Sequence, residues 1–167
     1  MNQNQIERIA VKLANKLGLV QLTKERLCFE CGIPTGSFNH LMGCSFTEFV
    51  LRLYNSGKCK LGSPIGKARV NAELMRHCIL EVAVKLSIQK NYKLVTRREI
   101  AEALDISPSL ISLYFGDMQE LKNEIVQYAI DNKELIIIAQ IVLFKDPRMS
   151  SIPKTIRNEA LQVVMNG

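Results

Sequence analysis

Sliding the chain 73 residues along itself lays AVKL (Ala10–Leu13) onto a second AVKL (Ala83–Leu86). With no gap, Thr23 then falls on Thr96, Lys24 on Arg97, Leu27 on Ile100, Ile33 on Ile106 and Gly43 on Gly116. An identical tetrapeptide followed by matches in register over more than thirty residues marks an internal duplication. The fold must therefore use one unit twice. Apolar residues recur at helical spacing in both halves: Ile6, Ile9, Ala10, Leu13 and Leu17 before Gly18, and Ile79, Val82, Ala83 and Leu86 before Asn91. Strand-like alternation is nearly absent. The expected fold is all-α, with two tandem three-helix helix-turn-helix units plus C-terminal helices.

Each unit reads as a supporting helix, a tight turn and a second short helix. Thr23 and Thr96 suit N-caps, and Glu99, three residues after Thr96, completes a capping box in the second copy. Gly32 and its counterpart Asp105 sit where the chain must reverse, and both tolerate the left-handed conformation. Ile33 and Ile106 are placed to plug the angle between the helices. PTGSFNHLM and SPSLISLYF then open new short helices, with Ser107 as cap and Pro108 at the first helical position. This is the layout of a helix-turn-helix, whose second helix enters a DNA groove.

The two stretches LTKERLCFECGIPTGSFNHLMG and VTRREIAEALDISPSLISLYFGDMQELKNEIV resemble the DNA-binding domain of tetracycline-repressor (TetR) type regulators. The first carries the resemblance at Gly32, Ile33, Pro34, Gly36, Ser37, Phe38, His40 and Gly43. The second carries it at Ile100, Ala101, Ile106, Ser107, Tyr114, Phe115, Gly116, Glu120 and Leu121. The family's phosphate-contacting Tyr is Asn39 in the first copy and Ser112 in the second, and its Lys at the start of the fourth helix is Ser45 and Met118. The aromatic end of the second helix, Tyr114-Phe115, corresponds to Leu41-Met42 in the first copy. Members usually continue into a long ligand-binding and dimerisation domain. Here only 37 residues follow residue 130, so no small-molecule inducer is expected.

The resemblance implies double-stranded DNA as partner and a role in transcription. Thr35, Gly36, Ser37, Asn39 and His40 form the expected reading helix of the first unit, Asn being able to pair bidentately with adenine. Pro108, Ser109, Leu110, Ser112 and Tyr114 form that of the second, Leu110 as a thymine-methyl contact. Thr23, Lys24, Thr96, Arg97 and Arg98, at the starts of the supporting helices, are expected near phosphates. Two arrangements are open. Either both units form a covalent pseudo-dimer that reads an asymmetric site, its reading helices about 34–36 Å apart in successive major grooves, or the near-neutral second unit serves packing or partner binding and the first is the main reader. Small size and duplicated units suit a bacteriophage or plasmid regulator.

Charge is unevenly spread. Residues 1–70 hold ten Lys/Arg against four Asp/Glu, whereas residues 71–130 hold seven against eight. Much of the excess falls in a Gly- and Ser-containing linker with Lys58, Lys60, Lys67 and Arg69, which adds non-specific attraction for a polyanion. The expected divisions are 1–54 and 76–130 for the two units, 55–75 for the linker and 131–167 for a C-terminal packing or dimerisation segment. DMQELKNEIVQYAIDNKELIIIAQIVLF reads as one helix of up to seven turns stopped at Asp146-Pro147, and a last helix starts at about Pro153. The apolar LIIIAQIVLF serves either as a core helix or as a homodimer interface.

Other classes are weakly represented. No apolar run approaches the ~20 residues of a membrane span, and the opening residues lack a signal peptide's apolar run, which predicts a cytoplasmic location. Cys28, Cys31 and His40 invite a zinc reading. The sister positions Ala101, Leu104 and Leu113 carry no trace of it, so neither metal nor cofactor is expected and the cysteines are assigned to the core. With only His40 and His77, no catalytic constellation stands out, and His77 is read as a boundary residue. The rival to DNA binding is a protein-interaction regulator built from degenerate helix-turn-helix units, binding a polymerase subunit or host factor.

Overall fold

The computed structural model describes residues 1–62 and 72–167, and every regular element among them is helical. The chain divides into two units, Met1–His77 and Cys78–Gly167.

In the first unit α1 (Gln3–Leu17) opens with a capping box in which the Asn2 side chain accepts from the Gln5 N–H and the Gln5 side chain accepts from the Asn2 N–H. Its buried face is Ile6, Ala10 and Ala14, one residue per turn, with Ile9, Leu13 and Leu17 half-buried beside it. The supporting helix α2 (Lys24–Cys31) starts at Thr23, whose hydroxyl accepts from the Arg26 N–H, and ends at Gly32 with φ 64°. A 3-10 turn (Thr35–Ser37) runs into the short α3 (Phe38–Met42), and α4 (Phe46–Asn55) follows, capped by Ser45 and Glu48. The Phe38 ring, fully buried, meets Phe46 and Phe49 edge-on at 5.5 and 5.4 Å, which fixes α3 against α4.

The first residues of the expected linker do not hang free. Leu19 and Val20 donate their N–H groups to the carbonyls of Lys60 and Leu61, and Asn15 bonds the backbone of Lys58 and Lys60. Gly18 and Gly62 touch through their backbones. A Cβ on Gly62 would lie 2.5 Å from the Gly18 Cα, so side chains are excluded there on steric grounds. At its far end, residues 72–75 are already helical, because α5 (Ala72–Gln89) begins before the expected boundary.

The second unit continues from α5 with α6 (Arg97–Leu104), α7 (Pro108–Phe115), α8 (Met118–Asn132), α9 (Leu135–Leu143) and α10 (Lys154–Asn166). Its turn residue Asp105 is left-handed at φ 54°. Backbone hydrogen bonds recur between the units at an offset of 73. Ile33 bonds the Cys28 carbonyl and Ile106 that of Ala101, while Ser37 bonds Pro34 and Leu110 bonds Ser107. The Gly43 N–H likewise bonds Asn39, and that of Gly116 bonds Ser112. Burial follows the same register: Leu27 and Ile100, Cys28 and Ala101, Phe38 and Ile111, Met42 and Phe115 are buried in pairs. After the second glycine the offset drops by one, since Ser45 caps α4 and Asp117 caps α8.

The long helix expected from Asp117 to Phe144 is instead two. Lys133 turns left-handed at φ 55°, and the N–H of Glu134 reaches back to the Ala129 carbonyl, a helix-ending pair of bends that satisfies the free carbonyls of α8. The break lets α9 fold back onto α8 and α10, burying Ile137, Ile138, Ala139 and Ile141. α9 also stops at Leu143, ahead of Asp146-Pro147; Asp146 caps a 3-10 turn (Pro147–Ser151) instead.

A polar cluster ties this end of the chain to the loop before α6. The Tyr92 hydroxyl donates to Asp146 at 2.9 Å, and Arg148 holds the same carboxylate through Nε at 2.8 Å and Nη2 at 2.7 Å. Arg148 also reaches Asn123, and Gln140 bridges the Tyr92 N–H to the Ser87 carbonyl. The guanidinium holds the Asp146 carboxyl well below the usual carboxylate range, while burial first and Asp146 second push the Tyr92 phenol up to about 12.

Candidate nucleic-acid interface

Each unit presents a supporting helix N-terminus beside the outward face of a second helix, and the two differ in what occupies them. In the first unit the Thr23 cap leaves Lys24 at the first helical position. Its ammonium lies 3.3 Å from the Asn39 carbonyl oxygen and 5.7 Å from the centre of the Phe38 ring. Because Lys only donates, the Asn39 amide must turn its oxygen toward it, which leaves the NH₂ for another acceptor. Thr35, Gly36, Asn39 and His40 are exposed and Ser37 is half-buried, so the expected reading residues share one accessible surface with Lys24.

Two exposed residues of α2 were left out by sequence reasoning. Arg26 is exposed and stands at the third helical position, where the second unit has Glu99; comparing the two Thr-x-x spacings would have found it. Phe29 is exposed on the outer face of α2, with no sequence signal to distinguish it from a core aromatic.

In the second unit the same positions are chemically closed. Glu99 accepts from the Thr96 N–H and hydroxyl at 2.9 and 2.7 Å and pairs with Lys90. Lys90 first, then Thr96, pull its carboxyl down to about 2. Arg98 is engaged by Glu102 one turn on, at 2.7 Å. Arg97 is half-buried, with its Nε shielded and unbonded. On α7, Ser109 is exposed with its hydroxyl 2.6 Å from that of Ser107, and Pro108 is exposed beside it. Leu110, Ser112 and Tyr114 are half-buried, and burial raises the Tyr114 phenol. Of the second unit's candidates, then, Thr96, Arg98 and Ser109 already hold side-chain partners, and only Pro108 and Ser109 stand fully outward on α7. Leu113, not among those candidates, is 73% exposed.

Residues 79–125 match the family model described as bacterial regulatory proteins, tetR family. The second unit carries a TetR-type helix-turn-helix domain. The matched segment takes in α6 and α7 whole, and with them every second-unit candidate from Thr96 to Tyr114. No curated protein and no solved structure matches the chain.

Cys28 and Cys31 are buried as free thiols, and burial raises both. His77 sets its ring edge-on to Tyr54 at 6.4 Å, as a packing residue does. Lys58 pairs with Glu7 at 3.2 Å, which reduces its use as a free cation, while Lys60 is exposed. Lys67 and Arg69 lie outside the described residues. Among the described residues no helix is long and apolar enough to cross a membrane.

Proposed function

We propose that the chain is a transcriptional regulator that binds double-stranded DNA through both helix-turn-helix units. The observation that carries the reading is the family match over residues 79–125, which falls on a helix pair whose outward side offers Pro108, Ser109 and Leu113. The first unit is brought in by the recurrence of the capping, turn and helix-closing hydrogen bonds 73 residues earlier. Its Thr35, Gly36, Ser37, Asn39 and His40 would read bases, and Lys24 would meet phosphate near the N-terminus of α2, Thr23 and Thr96 serving as caps that aim backbone N–H groups outward. In the second unit Arg97 and Arg98 would take the phosphate role, Arg98 after exchanging Glu102 for the DNA backbone. Because Asn39 and His40 correspond in sequence to Ser112 and Leu113, the operator is asymmetric. The protein acts in the cytoplasm, without catalysis or cofactor. Leu143, Phe144, Val163, Val164 and Met165, exposed near the C-terminus, support a homodimer contact in that region.

The ion pairs Lys90–Glu99 and Arg98–Glu102 favour a second reading for the second unit, that of a protein-binding module. Titrating random duplex DNA across salt concentrations separates the two. DNA binding predicts that the logarithm of the affinity falls linearly with log salt, with a slope near −0.9 for each phosphate neutralised. A flat response, or no binding at low salt, would sink the DNA reading.

A further inference from the structure

α7 presents an unusual surface for a helix that reads DNA. From Pro108 to Phe115 it carries no charged side chain and none of the long polar ones (Asn, Gln, Arg) that make bidentate contacts to base edges. Ile111 and Phe115 are buried and hold the helix down, with Leu110 and Tyr114 half-buried at its flanks. Ser109, Ser112 and Leu113, spaced i, i+3 and i+4, make up the opposite face. Ser109 has its hydroxyl against Ser107 and Ser112 is half-buried. Ser109 and Leu113 are the exposed residues of this face, and Leu113, 73% exposed, is its apolar one. Leu110, the apolar contact expected from the sequence, is too sunken to lead.

We propose that Leu113 is the specificity-determining residue of the second unit, reading the C5 methyl group of a pyrimidine in the major groove. In that groove thymine differs from cytosine by its methyl as well as by its hydrogen-bonding groups, and an aliphatic side chain can sense only the former. The second unit therefore selects thymine at one position and tolerates 5-methylcytosine there better than cytosine. The first unit, with His40 at the corresponding place, reads polar edges instead. The inference rests on the DNA-binding reading above.

The test uses the full chain and a duplex selected from a random pool. Each thymine is replaced in turn by deoxyuridine, which removes the methyl and leaves the hydrogen-bonding edge intact. One position is expected to lose about fourfold in affinity, the weight of one methyl-sized group withdrawn from contact. Leu113→Ala should erase that thymine-uridine difference while leaving the thermal midpoint unchanged, since an exposed side chain contributes little packing, and Leu113→Met should restore it. Wild-type binding that ignores every uridine substitution overturns the inference alone, as does an L113A variant that discriminates as the wild type does. Absence of any salt-dependent duplex binding overturns the DNA reading and this inference together.

Discussion

The two supporting helices begin with the same threonine and diverge three residues later. At Thr23 the third helical residue is Arg26, so the capped end faces outward with cations around it. At Thr96 it is Glu99, which closes the cap on itself and draws in Lys90. The backbone bonds are alike; the electrostatics are opposed. Conserving a helix start therefore says how a unit folds and little about how strongly it attracts a polyanion. The unit that matches the TetR-type family is the one where Lys90 and Arg98 are ion-paired beside the supporting helix, whereas Lys24 and Arg26 of the other face no carboxylate partner among the described residues.

The comparison can be broken in four ways. The largest effect is expected from Asn39→Ala combined with His40→Ala, which should cost about a hundredfold in affinity for a selected site, two lost base contacts at roughly 1–3 kcal/mol each being partly redundant. Ser112→Ala should cost far less. Competition binding against random DNA measures both. If the double variant kept its site preference, the first unit would not be the principal reader.

Next comes Asp146→Ala, which orphans Arg148 and the buried Tyr92 hydroxyl. It should destabilise the second unit by about 2–3 kcal/mol, seen as a lower unfolding midpoint in calorimetry. The first unit should melt as before, and a wild-type-like profile would show that the cluster contributes nothing.

Exchanging the cap chemistry gives a smaller change. Arg26→Glu builds the second unit's capping box into the first, and should lower non-specific DNA affinity about five- to tenfold while flattening the salt slope by about one. Equal slopes before and after would remove Arg26 from the interface.

The smallest expected effect is on pH dependence. The Glu99 and Asp146 carboxyls are both depressed in the folded chain, so the stability they contribute is complete above their ordinary values of 4.5 and 3.8 and is lost as pH falls toward 2. The Tyr92 phenol is raised, so its contribution is complete below pH 10 and is lost as pH rises through about 12. In the first unit Glu48 is lowered too, by its bonds to Ser45, but among the described residues no carboxylate there is held as the Asp146–Arg148–Tyr92 cluster holds its own. Acid titration followed by circular dichroism should therefore unfold the second unit before the first.

Local chemistry made the caps and turns readable in advance. Thr96 with Glu99, Ser107 with Pro108, and Asp105 or Gly32 at the reversal each act over three or four residues, and each is found as expected. What escaped depends on distance or on context. Lys133 is left-handed without any of the side chains that favour that state, and the apolar run beyond it concealed the fold-back of α9. Tyr92 and Asp146 lie 54 residues apart, and Gly18 meets Gly62 only once Leu19 and Val20 have bonded Lys60 and Leu61. At the candidate interface, composition showed which half was basic. It could not show that Arg98 was already spoken for, or that Leu113 rather than Leu110 would stand proud of α7.

The one-residue slip after Gly43 and Gly116 has a practical side. Between Thr23 and Gly43, and between Thr96 and Gly116, the two units keep the matching backbone hydrogen bonds of cap, turn and helix end 73 residues apart; beyond the glycines the caps lie 72 apart. Each twenty-one-residue stretch is thus a graftable cassette whose joints are the capping threonine and the closing glycine. A transplant cut at those joints keeps the spacing and asks only that Gly43 (ψ 16°) and Gly116 (ψ −110°) exchange their closing geometries, whereas one cut a few residues later would rotate the following helix by about 100° and turn its apolar stripe away from its own core.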